Sequence, residues 1–212
     1  MRRAVAIGLI VVAAVIIGTI GHQPTSSAAR SLDGAQPPRA PGTLPRSAPS
    51  EAPPSEVART GLTANDGILP DGVTVFDDRY PGVTNLNTDL LQALRKAAKQ
   101  AAANDIQLLV KSGWRSASYQ NQLLREAISQ YGSEEEAARW VATADTSPHV
   151  SGDAVDIEPS AAAAWLSKRG ARYGLCQIYR NEPWHYELRA SAVERGCPRM
   201  YADPTHDPRM TR

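Results

Sequence analysis

Apolar side chains recur along the chain at two periods, and the change from one to the other lays out the elements. From Asn85 to about Asn104, Leu90, Leu91, Leu94, Ala97, Ala98 and Ala101 fall at helical spacing, which predicts an amphipathic helix with one packed face. Ile106 to Val110 is a short apolar run and predicts a strand. Ser116 then stands as an N-cap before Tyr119, Leu123, Leu124, Ala127, Ile128 and Tyr131, whose recurrence predicts a second helix. Ser133 and Glu136 have the form of a capping box that opens a third helix running through Trp140 and Val141. Ala154 to Glu158 alternates small apolar and acidic residues, as a strand with one buried face does, and this puts Asp156 and Glu158 on the same side. A fourth helix starts at Ser160 and ends near Gly170; further strands run from Leu175 to Tyr179 and from Trp184 to Leu188. Helices early and strands late, with short connections, predict an α+β domain: a central antiparallel sheet with flanking helices.

The ends of the chain read differently. Met1-Arg2-Arg3 followed by the apolar run Ala4 to Ile20 has the form of a secretory signal, and Ser27-Ala28-Ala29 offers the small residues a signal peptidase reads. Residues 1–29 are thus a cleaved signal or, since the run is at the lower limit for crossing a bilayer, a retained anchor with membrane contact. Either way the protein is expected to be exported to the cell envelope. Residues 30–61, rich in Pro, Ala and Ser, bury too little apolar surface to order themselves and read as a linker, either a tether or an inert spacer. Residues 62–202 form the domain, and residues 203–212, with Pro204 and Pro208, read as a frayed tail.

Charge narrows the partners. The 23 Lys and Arg nearly balance the 22 Asp and Glu, without a basic block, so no nucleic-acid partner is indicated. Cys176 and Cys197, an even pair in an exported chain, read as a disulfide; two free thiols are the alternative.

Chemistry concentrates in two stretches, Ser147-Pro148-His149-Val150-Ser151-Gly152-Asp153-Ala154-Val155-Asp156 and Glu182-Pro183-Trp184-His185. His149, Asp156 and His185 are two imidazoles and a carboxylate, the donor types of a zinc site that keeps its fourth position for water. Gly152 is suited to the sharp turn that would fold His149 back toward Asp156, leaving Asp153 facing solvent. Glu182 is near enough to take a proton from a metal-activated water, and so is a candidate general base and acid. Of the four histidines, the other two, His22 and His206, fall in the N-terminal region and the tail.

The pattern S-x-H-x-x-G-x-A-x-D followed by E-P-W-H, with Ser112-Gly113-Trp114-Arg115-Ser116 and Gln120 upstream, resembles the signature of the VanY-type D-alanyl-D-alanine carboxypeptidases. These are zinc peptidases of bacterial cell walls that share a core with lysostaphin-type endopeptidases and the hedgehog domain. The resemblance spans roughly Leu62 to Tyr201 and implies that fold, a Zn2+ cofactor, and a peptidoglycan stem peptide ending in D-Ala-D-Ala as substrate. It further implies that Gln120 and Ser147 hydrogen-bond the substrate, although Ser147 could instead cap a turn. Arg115 has a guanidinium fork suited to neutralising substrate charge; a structural salt bridge is its alternative. Trp184 and Trp114 would wall the pocket or belong to the core, and Glu158 would orient a ligand histidine or be an exposed acid.

The expected activity is removal of the terminal D-alanine. An endopeptidase on the same core is one rival. A zinc-bearing wall-binding module without activity is another, but it has no need of Glu182. A cysteine peptidase is disfavoured because neither cysteine sits in a matching local motif.

Overall fold

The computed structural model describes residues 61–211. The expected signal or anchor and all of the linker except Gly61 lie outside them, and no helix among the described residues is long and apolar enough to cross a membrane. In chain order the elements are α1 (Pro81–Thr84), α2 (Thr88–Ala102), β1 (Leu109–Ser112), α3 (Ala117–Tyr131), α4 (Glu134–Ala137), β2 (Ala154–Glu158), α5 (Ser160–Arg169), β3 (Leu175–Gln177), β4 (His185–Leu188) and α6 (Ala192–Arg195). The strands form one antiparallel sheet in the order β1-β2-β4-β3, the α+β architecture expected from the sequence.

The pleat divides the sheet's side chains into two faces with different work. One face carries Val110, Val155, Ile157, Tyr186 and Leu175 into the main core, where α2 lays Leu90, Leu94, Ala97 and Ala101. Each large side chain buried there contributes roughly 1.5–3 kcal/mol relative to exposure. Tyr186 adds a tie to α5 by donating its hydroxyl to Ala163 O at 2.6 Å. The opposite face carries Ala154, Asp156, His185, Glu187 and Cys176, and here the chemistry collects.

The helix starts follow their caps. Asn87 accepts from Asp89 N at 3.0 Å to open α2, and Ser116 accepts from Tyr119 N at 3.1 Å to open α3. Cys176 and Cys197 are joined by a disulfide with Cα atoms 5.5 Å apart, tying β3 to the chain beyond α6.

Four expectations need correction. The first strand begins at Leu109 rather than Ile106, because the Ile106 N–H is bonded back to Ala101 O at 3.1 Å, closing the end of α2. The helix opened by Ser133 is a single turn. Trp140 N and Val141 N both bond Ala137 O, the chain turns away, and Trp140 stacks on Tyr131 with ring centroids 5.8 Å apart. Strand β2 is buried on both faces, not one, since Ala154 and Asp156 are buried along with Val155 and Ile157.

The fourth correction matters most for function. Residues 203–211 are not a frayed tail but two 3-10 turns, Pro204–His206 and Pro208–Thr211. Asp203 caps the first by accepting from Thr205 N at 3.0 Å, and Asp203 and Asp207 are 3% and 0% exposed. Met210 packs on a second small core of Cys176, Ile178, Tyr179 and Ala192. The domain therefore continues past residue 202.

Candidate metal centre

Strand register places the first two functional side chains. Asp156 in β2 lies opposite His185 in β4, and Ser112 in β1 lies opposite Asp156 on its other side. The third comes from the turn of residues 147–153. There Gly152 takes φ +78°, and a Cβ on it would meet Asn85 O at 2.5 Å. Asn87 N bonds Gly152 O at 2.8 Å and Arg115 N bonds His149 O at 3.2 Å, so the turn is clasped from two directions. Asp153 at its end faces solvent, as expected.

Three donor atoms converge as a result. His149 Nε2 is 3.3 Å from His185 Nδ1, and Asp156 Oδ1 is 3.4 Å from each. A tetrahedral ion with bonds of about 2.0–2.1 Å has its donors roughly 3.3–3.4 Å apart. The spacing therefore fits a cation of zinc's size, and the donors are the set that could hold one. Asp156 Oδ1 is buried without a hydrogen-bond partner, an acceptor still in want of a positive charge.

Each imidazole has its other nitrogen committed, which fixes the tautomer that leaves a lone pair facing the centre. His149 Nδ1 is 2.8 Å from Gly113 O, and His185 Nε2 is 3.2 Å from Glu187 Oε1. Gly113 is required by close approach, since a Cβ there would lie 2.0 Å from Gly82 O. Glu187 is the site residue that the sequence reading missed. Its signal was available: two positions past His185 in a strand is the same face. Glu158, read either as such a partner or as an exposed acid, is half-exposed with Lys111 Nζ 3.9 Å away, in line with the second alternative.

Three carboxylates crowd His185: Glu187 at 3.2 Å, Asp156 at 3.4 Å and Glu182 at 3.6 Å. For His185, burial opposes protonation, but the adjacent carboxylates of Asp156, Glu187 and Glu182 prevail and push its imidazole up to about 10. For His149, burial and then the Arg115 charge hold the imidazole below its ordinary range. Burial would raise Asp156, yet His149, His185 and Arg115 together hold it well below the usual carboxylate range. Glu182 is 6% exposed, with Oε1 unpartnered and Oε2 3.6 Å from His185 Nδ1; burial pushes its carboxyl up to about 8.

Arg115 occupies the other side of Asp156. Its Nη2 donates to Asp156 Oδ2 at 2.7 Å, Nε to Ser112 Oγ at 2.7 Å and Nη1 to Gln120 Oε1 at 3.2 Å. Each of the three nitrogens has a partner within the protein, which gives the salt-bridge alternative and leaves one N–H on each Nη. Gln120 is 1% exposed, and its Nε2 donates to Ala142 O at 2.8 Å. It holds Arg115 and is placed to position that side chain. Ser147 Oγ accepts from His149 N at 3.3 Å, capping the turn, while Trp184 and Trp114 are half-buried beside the centre in the chain.

Fold and site together define a small α+β domain in which two central strands and one turn bring three side chains that could hold a metal beside a buried acid. The chain belongs to the VanY family, D-alanyl-D-alanine carboxypeptidases, whose model matches residues 83–191. A D-alanyl-D-alanine carboxypeptidase of Enterococcus faecalis is 31% identical in an alignment covering 45% of this chain and 44% of that relative. The chain thus aligns with less than half of that relative's length. Among solved structures, VanYB in complex with D-alanine-D-alanine is 26% identical over 52% of this chain and 74% of that one, with a TM-score of 0.49. A variant of the vancomycin-resistance D,D-pentapeptidase VanY in complex with Zn(II) is 25% identical over 51% and 74%, with a TM-score of 0.48.

Proposed function

We propose that this chain is a zinc-dependent D-alanyl-D-alanine carboxypeptidase that removes the terminal D-alanine of peptidoglycan stem peptides outside the cytoplasm. The observation that carries the reading is the 3.3–3.4 Å triangle of His149 Nε2, His185 Nδ1 and Asp156 Oδ1, with the carboxylate of Glu182 beside it. Membership of the VanY family supports the substrate class, and the disulfide supports an oxidising compartment.

Bound by His149, Asp156 and His185, zinc would supply a Lewis acid that acidifies water and polarises a carbonyl. Glu182 accepts the proton of the water whose oxygen forms the new bond to the scissile carbonyl carbon. As the C–N bond breaks, Glu182 returns that proton to the leaving amine of D-alanine. Arg115, fixed by Ser112 and Gln120, keeps one Asp156 oxygen occupied so that the other faces the centre. Ser147, bound to the backbone of His149, and Trp184, next to His185, are assigned to holding the stem peptide. Glu182 disfavours a binding module without activity, which has no use for a buried base at the metal.

Release of D-alanine from a synthetic pentapeptide stem, by the zinc-loaded chain and by Glu182→Gln at equal zinc content, tests the reading. We expect release by the first and a loss of about 10²–10⁴-fold in the second. No release despite bound zinc refutes the carboxypeptidase. Full activity on a stem with an amidated C-terminus points to the endopeptidase.

A further inference from the structure

Beyond His185, on the Nε2 side of its ring, lies an ionic cluster around the buried Glu187 that the reaction does not use. Glu187, 0% exposed, has two carboxylate oxygens and four donors: His185 Nε2 at 3.2 Å and Arg209 Nη2 at 3.1 Å on Oε1, and Arg189 Nη2 and Arg209 Nη1, each at 2.7 Å, on Oε2. Arg209 thus grips Glu187 with the two-pronged geometry that only a guanidinium offers. It is held in turn by Asp207, whose Oδ1 and Oδ2 each accept from Arg209 Nε at 3.0 Å and whose Oδ2 also contacts Arg209 Nη2. Tyr179 donates its hydroxyl to the same Asp207 Oδ2 at 3.0 Å, and its ring lies 5.1 Å from that of His185. The cluster therefore begins and ends on a metal-ligating histidine.

We infer that Arg209 is a positioning residue for the metal centre: delivered by the 3-10 turn Pro208–Thr211, it locks Glu187, and through Glu187 the ring orientation and tautomer of His185. The inference rests on the metal site proposed above. It draws nothing from the family match, which ends at residue 191. Removal of Arg209 takes two of the four donors from Glu187. The buried carboxylate then keeps Arg189 on Oε2 and His185 on Oε1, and without the fork that spans both oxygens it is free to turn toward its one remaining guanidinium, Arg189. Oε1 then leaves His185 Nε2, and nothing holds the imidazole proton on the nitrogen away from the cation. Partners of this kind to a ligating histidine are worth about 10–100-fold in metal affinity.

The test uses the whole chain and reads zinc affinity by competition with a chromophoric chelator, with the thermal midpoint of the metal-free form measured alongside. Three variants are compared: Arg209→Met, Arg209→Lys, and Thr205→Ala, which removes a hydroxyl bond to Asp203 in the same segment without touching Glu187. Arg209→Met should weaken zinc binding about 10–100-fold. Arg209→Lys, which restores the charge but not the fork, should recover part of that loss. Thr205→Ala should lower the midpoint and leave the affinity unchanged.

Equal affinity in the wild type and Arg209→Met overturns the inference, as does an affinity loss in Thr205→Ala matching that in Arg209→Met. If Arg209→Met does not fold, Arg209→Lys decides alone: an unchanged affinity overturns the inference and a weakened one supports it. A wild-type chain that holds zinc but releases no D-alanine refutes the substrate reading while leaving this comparison intact. A wild-type chain that holds no zinc overturns both.

Discussion

Asp156 and His185 face one another across β2 and β4, with Asp156 Oδ1 and His185 Nδ1 3.4 Å apart. The relationship is set by backbone register, so both donors are in place without rearrangement of a loop. Asp156→Asn keeps the shape and removes the anionic donor, while leaving Arg115 with a neutral partner. Zinc content after dialysis against a weak chelator is expected to fall from stoichiometric to near zero, in Asp156→Asn as in His185→Ala. Retention of stoichiometric zinc by either variant would place the cation elsewhere.

Arg115 is the cation that offsets Asp156 on its far side, with side chains 12% and 10% exposed. Removing one partner of so buried a pair leaves a charge uncompensated and costs about 3–5 kcal/mol. Arg115→Met should lower the thermal midpoint of the chelator-treated chain by roughly 6–20 °C. Scanning calorimetry of the two proteins checks it, and equal midpoints would show that the pair is not stabilising.

The disulfide encloses a loop that contains β4 and Glu182, with the two cysteines 21 residues apart. On the chain-entropy account it stabilises the fold by about 3 kcal/mol. Cys176→Ser combined with Cys197→Ser should lower the midpoint by roughly 6–12 °C, and a reductant should have no further effect on that variant. The measurement is the melting curve with and without reductant.

Acid should unfold the protein through the C-terminal turns. Burial by itself would raise both Asp203 and Asp207. Hydrogen bonds from Thr205 and His206 in the first case, and from Arg209 in the second, hold them below their ordinary 3.8. Depressed carboxylates add stability that is fully present above their unfolded value and is lost as pH falls through the folded one. Midpoints recorded across pH 2–7 should therefore drop most steeply below about pH 4. The drop should be shallower in Asp207→Asn; parallel curves would exclude this carboxylate as a cause.

Gly152 allows the His149 turn by combining φ +78° with a contact that a Cβ would make at 2.5 Å to Asn85 O. Gly152→Ala should destabilise by more than about 1 kcal/mol and weaken zinc binding, because the backbone that must shift carries a ligand. Unchanged zinc affinity in a folded Gly152→Ala would detach the turn from the site.

What could be read from the sequence was what local pattern encodes. The alternation from Ala154 to Glu158 fixes β2 to the residue, and the spacing of His149, Gly152 and Asp156 anticipates a turn folding back on its own strand. What escaped was set by contacts distant in sequence. Glu187 carried the right period but looked like one more strand acid, since its donors Arg189 and Arg209 are identified only once the sheet and the C-terminal turns are assembled. The segment from Asp203 onward has two prolines and few apolar residues, and it is ordered by buried ion pairs that no hydrophobic periodicity announces. Arg115 sits between β1 and α3, but its commitment to Asp156 depends on the pairing of β1 with β2.

The strand order has one further consequence. In β1-β2-β4-β3 the two strands that carry Asp156 and His185 are the interior ones, each hydrogen-bonded along both edges. Fraying of the sheet starts from its rims, and local opening is costliest where ladders flank a strand on either side. The carboxylate and the imidazole are thus moored where amide protons should exchange most slowly, and brief loosening of β1 or β3 should leave them facing each other.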